Sequence, residues 1–323
     1  MAEVSTGIAR KRVLVFGASG TIGRATLRQL KSDGYDVTGV VRSASDRRDE
    51  ASAARPSDAK LRFCDFANSD SVSKDVFGNE SFDVVVSCLA SRTGEKKDAY
   101  FVDYEANMQI LRVAQSAGAE HMILVSAICV QKPRLAFQHA KLAFEKELIA
   151  SGLTYSIVRP TAFFKSLSGQ IERVKRGKPF LVFGDGTHTR CKPISDADLG
   201  RYISECITNP ERHDRTLPIG GPGPAISPRE QGEMLFELLN MKPRFRYVPI
   251  ALLTSFVRIL GAVGKLFERA QPAAEYARIA RYYATESMLV FDDDRKVYSD
   301  AATPETGDDT LFEHYAKVLD TDH

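Results

Sequence analysis

Short apolar runs rich in valine, isoleucine and phenylalanine recur along the chain at 13–16, 35–41, 61–66, 83–89, 121–127 and 155–159. Stretches with helical spacing of apolar positions separate them, at 24–31, 69–77, 98–117 and 136–150. Near-continuous apolar strands alternating with helices predict a parallel sheet buried on both faces. Right-handed crossovers then wind it into a doubly wound α/β sheet whose ligand crevice lies at the carboxyl ends of the strands. After Pro160 the pattern loosens. Two helix starts remain well marked there by capping-box signatures, Ser195-x-x-Asp198 and Ser227-Pro228-x-Glu230. The expectation is a sheet domain over 1–160 and a smaller, mostly helical substrate region over 161–323, from which strands can return to the main sheet.

Between the first strand and the first helix stand Gly17, Ala18, Ser19, Gly20, Thr21, Ile22 and Gly23. Strand, glycine turn and helix together aim main-chain N–H groups and a helix's positive end at a phosphate. Gly17 permits the tight turn, Gly20 lets the main chain approach a pyrophosphate, and Gly23 lets helix and strand pack closely. A Rossmann-type sheet that binds a dinucleotide is thus expected, a purely structural turn being the plainer alternative. The second strand ends in Val41-Arg42, with Arg47 and Arg48 shortly after, where an NAD site usually carries an acid for the ribose 2′-hydroxyl. A guanidinium at that position forks onto a 2′-phosphate, so NADPH is expected; the plainer alternative for Arg42 is a surface arginine at a strand end.

Composition narrows the picture further. With 323 residues, 43% of them hydrophobic, the chain can bury one large core or a main and a smaller one. A net charge of +2 argues against nucleic acid as a partner. Cys64, Cys88, Cys129, Cys191 and Cys206 are widely spaced, without a Cys/His cluster, so reduced thiols and no metal site are expected. The first dozen residues lack an apolar signal core, and the longest apolar stretch, 250–267, is interrupted by Arg258 and Lys265. Cytoplasmic residence follows as the expectation.

Asp65-Phe66 after the third strand, Ser87-Cys-Leu-Ala-Ser91 after the fourth and Val125-Ser126-Ala127 in the fifth add to the glycine turn and Arg42. Together they resemble the short-chain dehydrogenase/reductase superfamily, in its extended and atypical branches. The resemblance implies that Asp65 and Phe66 lie near the adenine, Leu89 and Ala90 near the riboses, and Pro160 and Thr161 near the nicotinamide. It also implies an active-site Tyr-x-x-x-Lys pair with an upstream serine, here Ser126. The matching segment reads Phe137-Gln-His-Ala-Lys141: the lysine is present and the tyrosine is not. Phenylalanine cannot move a proton to or from oxygen. Lys141 is the expected catalytic residue, holding the nicotinamide ribose, with a solvated helix-face lysine as the alternative.

Later blocks are more specific. Phe137–Glu145, Val158-Arg-Pro-Thr-Ala-Phe-Phe-Lys165, Cys191-Lys-Pro-Ile-Ser195 and Leu217-Pro-Ile-Gly-Gly-Pro-Gly-Pro224 are similar to the NADPH-dependent divinyl chlorophyllide 8-vinyl reductases. Membership implies reduction of the 8-vinyl group of a 3,8-divinyl chlorophyllide or protochlorophyllide to ethyl. The absence of a plastid extension favours a bacterial cytoplasmic enzyme. A flat tetrapyrrole needs an apolar slot with cationic anchors; Phe163, Phe164 and Lys165 are candidates for the wall and one anchor, and Arg190 for another. His188 and Cys191 read more simply as a solvent-facing histidine and a packing thiol. Two other functions stay open at this level: a silent NADP-sensing regulator or scaffold, and a reductase of another conjugated alkene. Segment 242–283 is basic (Lys242, Arg244, Arg246, Arg258, Lys265, Arg269, Arg278 and Arg281 against Glu268 and Glu275), whereas 286–323 is acidic. The plain reading is a basic helical face beside an acidic tail; the sharper one is an amphipathic element in peripheral membrane contact.

Overall fold

The computed structural model describes residues 10–42, 60–266 and 271–320. Among them, seven strands build one sheet: β1 (Arg12–Phe16), β2 (Asp36–Arg42), β3 (Lys60–Cys64), β4 (Val84–Ser87), β5 (His121–Val125), β6 (Thr154–Pro160) and, after an outlying β7 (Phe180–Phe183), β8 (Arg215–Ile219). Their order is β3-β2-β1-β4-β5-β6-β8, and every pairing is parallel. The order reverses between β1 and β4, which opens a crevice at their carboxyl ends.

Alternation along each strand feeds both faces of the main core. Leu14 and Phe16 of β1 join Val85, Met122, Leu124 and Ile157 on one face, under Ile110 and Phe144 of the helices Asn107–Ser116 and Ala136–Ile149. Val13 and Val15 join Val84, Val86, Ile123 and Val158 on the other, under Leu27 and Leu30 of Thr21–Ser32 and Leu199 and Ile203 of Asp196–Glu205. Each such fully buried side chain contributes about 1.5–3 kcal/mol of transfer free energy.

The chain after Pro160 divides between two units. Strand β8 and helix Asp196–Glu205 complete the main sheet and its cover. The rest pairs β7 with β9 (Phe245–Val248) and builds a second core around Phe164, Val174, Phe180, Phe236 and Tyr315. Of the two capping boxes, only that of Ser227 is reciprocal, with Ser227 N donating to Glu230 Oε2 at 2.6 Å and Glu230 N to Ser227 Oγ at 3.3 Å. Ser195 caps its helix through Asp198 N at 2.9 Å. The Asp198 carboxylate is drawn elsewhere, accepting from Asp309 N and pairing with Arg201, so that box is one-sided.

Two expected helices differ from regular α form. The stretch 98–117 runs as Lys96–Ala99, a π-helical Tyr100–Ala106 and Asn107–Ser116, and 69–77 narrows to a π-helical Val72–Phe77. In the first case the buried Asn107 amide donates to the carbonyls of Val102 and Asp103, taking up main-chain acceptors that a widened turn releases. Helices Ile250–Leu266 and Gln271–Thr285 pack on each other and expose Leu252, Phe256, Ile259 and Tyr276. Among the described residues no helix is long and apolar enough to cross a membrane.

One buried ion pair ties the helical layer together. Lys141 Nζ lies 3.0 Å from Asp103 Oδ1, with both side chains almost wholly out of solvent. The second Asp103 oxygen is buried without a hydrogen-bond partner. Removing the cation leaves an uncompensated carboxylate in a low-dielectric interior. Lys141→Met should therefore cost about 3–5 kcal/mol in urea unfolding, and the double change Lys141→Met/Asp103→Leu should recover most of it. A single variant as stable as the parent chain would contradict this.

Candidate functional site

The glycine turn is built by two close main-chain approaches. Gly17 sits at φ +76° with its Cα side against the Cys88 carbonyl, where a Cβ would meet that oxygen at 2.8 Å. A Cβ on Gly23 would come within 2.2 Å of the Gly17 carbonyl oxygen. Helix Thr21–Ser32 can thus begin directly against the end of β1. Its N-cap, Gly20, offers no side-chain hydrogen bond, so the first N–H groups remain directed at the crevice.

A groove of about 780 Å³ opens there. One end is bordered by Arg42, Asp65 and Phe66, the middle by Gly17, Ser19, Gly20, Thr21, Ile22 and Gly23, and the other end by Leu89, Ala90, Phe163 and Lys165. Arg42 is exposed at the end of β2, while Phe66 is buried against the Phe16 ring. Arg47 and Arg48 lie outside the described residues. The cradle admits no Cβ at Gly17 or Gly23, and it fits a dinucleotide whose pyrophosphate approaches bare main chain.

A second, largely apolar cavity of about 420 Å³ lies beyond β5 and β6. Pro160 and Thr161 line it, with Ile128, Cys129, Leu167, Arg190 and Met288. Phe163 and Ser166 border both spaces, so groove and cavity meet at that point.

The structure separates several residues that the sequence set side by side. Phe163 stands at the junction, but Phe164 is buried in the second core with its ring 5.2 Å from that of His314. Lys165 turns to the dinucleotide groove and donates to Thr21 Oγ1 at 3.3 Å, away from the second cavity. Arg190 does border the cavity, with its guanidinium held by the Ala225 carbonyl and Glu230. His188 is exposed and pairs with Asp185.

Ser126 and Lys141 are drawn inward. Ser126 Oγ donates to Glu145 at 2.5 Å, and Glu145 also pairs with Arg159. Lys141, paired with Asp103, borders neither space, yet its charge pulls down both the Cys88 thiol, in the groove wall, and the Cys129 thiol, in the cavity wall. Burial outweighs that pull, and Cys88 is pushed up to about 12. Phe137, at the position of the superfamily's tyrosine, packs against the apolar cluster of Ile128, Cys129, Leu135 and Tyr282, as does Ile279 of helix Gln271–Thr285.

Asp103, Gln231, Tyr283 and Glu286 were not visible as site residues from sequence. Glu286 is buried where cations converge, with Lys132 and Arg134 each at 2.8 Å and the Tyr298 hydroxyl donating at 2.6 Å. Burial pulls its carboxyl upward, but these partners outweigh it and hold the group below the usual range. No motif announces such residues, because their partners come from segments far apart in the chain.

Residues 17–210 match the NAD(P)H-binding family model. The chain is 47% identical to the chloroplastic divinyl chlorophyllide a 8-vinyl-reductase of Oryza sativa subsp. indica, over 95% of this chain and 78% of that protein. It is 46% identical to the enzyme of the same name from Arabidopsis thaliana, over 95% of this chain and 76% of that one. Among solved structures, an NADPH-dependent quinone oxidoreductase from Escherichia coli complexed with NADPH shares the fold. Its TM-score is 0.65 at 15% identity, covering 95% of this chain and 99% of that one. With a dinucleotide cradle intact and identity at this level along nearly the whole length, the chain belongs to the divinyl chlorophyllide a 8-vinyl-reductase family.

Proposed function

We propose that this chain uses NADPH to reduce the 8-vinyl group of a 3,8-divinyl chlorophyllide or protochlorophyllide to ethyl. The observation that carries the reading is the 47% identity to a reductase of that name across 95% of the chain, well beyond the dinucleotide-binding half. The shared border of groove and cavity at Phe163 and Ser166 agrees with it.

Bound NADPH supplies a hydride at its nicotinamide C4. The chain's part is to hold both reactants. The main chain from Gly17 to Gly23, with the side chains of Ser19, Thr21 and Ile22 around it, takes the pyrophosphate. Arg42 forks onto the 2′-phosphate, Asp65 and Phe66 border the adenine, and Leu89 and Ala90 border the riboses. Pro160, Thr161 and Phe163 form the wall across which nicotinamide and pigment face each other. Lys141 contributes a fixed positive charge behind that wall and is kept there by Asp103, with Ser126 and Glu145 bracing the same helix. The second cavity takes the vinyl-bearing edge of the flat macrocycle, the remainder extending toward solvent, and Arg190 stands at its border for a propionate. Phe164 and Lys165 act through the second core and the groove instead.

A vinyl group conjugated to the macrocycle accepts hydride at its outer carbon and passes the electron pair into the ring. No carbonyl oxygen gains charge, so Phe137 in place of a tyrosine is consistent with the reaction. Purified protein given NADPH and divinyl chlorophyllide, anaerobically in dim light, should oxidise NADPH and shift the Soret band to the blue; unchanged spectra would remove the reading. Arg42→Ala should weaken NADPH binding by about ten- to a hundredfold, the value of a charge-assisted hydrogen bond, and leave NADH within about threefold. Equal losses for both dinucleotides would remove the assignment of Arg42 to the 2′-phosphate.

The same substrate partitions into membranes, and helix Ile250–Leu266 exposes Leu252, Phe256 and Ile259 around Arg258. We infer that this face touches an anionic membrane surface. The protein should sediment with vesicles containing anionic lipid at low salt, and Phe256→Glu should abolish that. No sedimentation of the parent protein would refute the contact.

A further inference from the structure

Adding a hydride to a vinyl group leaves one proton still to be delivered, and the position that supplies a phenol elsewhere in the superfamily is Phe137 here. The acid therefore has to come from another segment. Most polar groups around the second cavity are already engaged. Thr161 Oγ1 donates to the Lys192 carbonyl. Glu286 is held as a carboxylate by Lys132, Arg134 and Tyr298. Arg190 is bound by the Ala225 carbonyl and Glu230. The Cys191 thiol is buried and pushed up to about 12.

Tyr283 differs from all of these. It borders the cavity, and among the described residues its hydroxyl meets the Cys129 sulfur at 4.0 Å, a soft and distant neighbour that leaves the proton transferable. Its position is fixed by the preceding residue: the Tyr282 hydroxyl donates to the carbonyls of Cys129 and Lys132 at 2.9 and 3.1 Å, and the two rings meet edge to face at 5.7 Å. Ile279, one helical turn earlier, packs against the same apolar cluster as Phe137, a cluster that includes Cys129 and Tyr282. The helix bearing Tyr283 thus shares an apolar cluster with the very side chain that replaces the missing phenol.

We propose that Tyr283 is the catalytic acid of the vinyl reduction, delivering its phenolic proton to the inner vinyl carbon. This deepens the reductase reading and rests on it. Hydride from NADPH forms a C–H bond at the outer vinyl carbon, and the π pair moves to the inner carbon and into the macrocycle. The Tyr283 O–H bond breaks, its proton forms the C–H bond at the inner carbon, and NADP⁺ and a phenolate remain. The phenolate takes a proton from water that enters the cavity it borders once the product has left. Burial at the hydroxyl end, followed by the nearby Cys129, pushes the phenol well above its ordinary range, so the group carries its proton throughout neutral pH.

The test is Tyr283→Phe, assayed with NADPH and divinyl chlorophyllide beside the parent protein. Dissociation constants for NADPH, by fluorescence quenching, and for the pigment, by its absorbance shift, should stay within about threefold. Turnover should fall by about 10²- to 10⁴-fold, the usual contribution of a positioned acid. In D₂O the parent protein should give an ethyl group whose CHD carbon has one configuration, read by NMR on the chiral product, and the variant should give both. Turnover retained within threefold, a single configuration in the variant, or a mixed configuration from the parent protein would each overturn the role of Tyr283. A parent protein that does not reduce the pigment would instead overturn the reductase reading itself.

Discussion

The contact on which the site depends is between two stretches of bare main chain, the start of helix Thr21–Ser32 at Gly23 and the carbonyl of Gly17. A single methyl at Gly23 would stand 2.2 Å from that oxygen. Because nothing intervenes, the helix begins flush against β1, and its unpaired N–H groups open onto the crevice where the strand order reverses. Everything beyond follows from where that crevice leads. Its far end reaches Phe163 and Ser166, and these two residues also border the apolar cavity built by the later part of the chain. A dinucleotide seated by the glycines is thereby directed at whatever the cavity holds.

Part of the electrostatics around the junction is arranged in ion pairs set away from the walls. The Lys141–Asp103 pair is buried in the helical layer, Glu145 of the same layer is buried against the partly exposed Arg159 of β6, and Ser126 is committed to Glu145. Buried pairs of this kind add little net stability but fix geometry strongly, since breaking one strands a charge. The cavity is left mostly apolar, which suits a flat conjugated ring that stores charge in its own π system. An ordinary carbonyl reductase needs a phenol at the substrate oxygen; here the corresponding helix position carries Phe137, packed into the apolar cluster around Cys129 and Tyr282.

The sheet and the dinucleotide groove were legible in sequence because their signals are local. Strand periodicity, three glycines in a seven-residue turn and an arginine ending β2 each act within a few residues of one another. The far side of the site was less so. Phe163, Phe164 and Lys165 look equivalent in sequence, but a helical turn starts at Phe164, and rotation of about 100° per residue sends the three side chains to the junction, the second core and the groove. Asp103 and Tyr283 had no motif at all. One is recognised only through a lysine 38 positions later, and the other only because tertiary packing brings helix Gln271–Thr285 over the segment after β5.

The most direct measurement of the account is a crystal structure of the protein with NADP⁺ and divinyl chlorophyllide together. The account predicts the outer vinyl carbon about 3–3.5 Å from the nicotinamide C4, with Phe163 beside both. A pigment bound away from Phe163, or one presenting another edge of the ring to the nicotinamide, would contradict it.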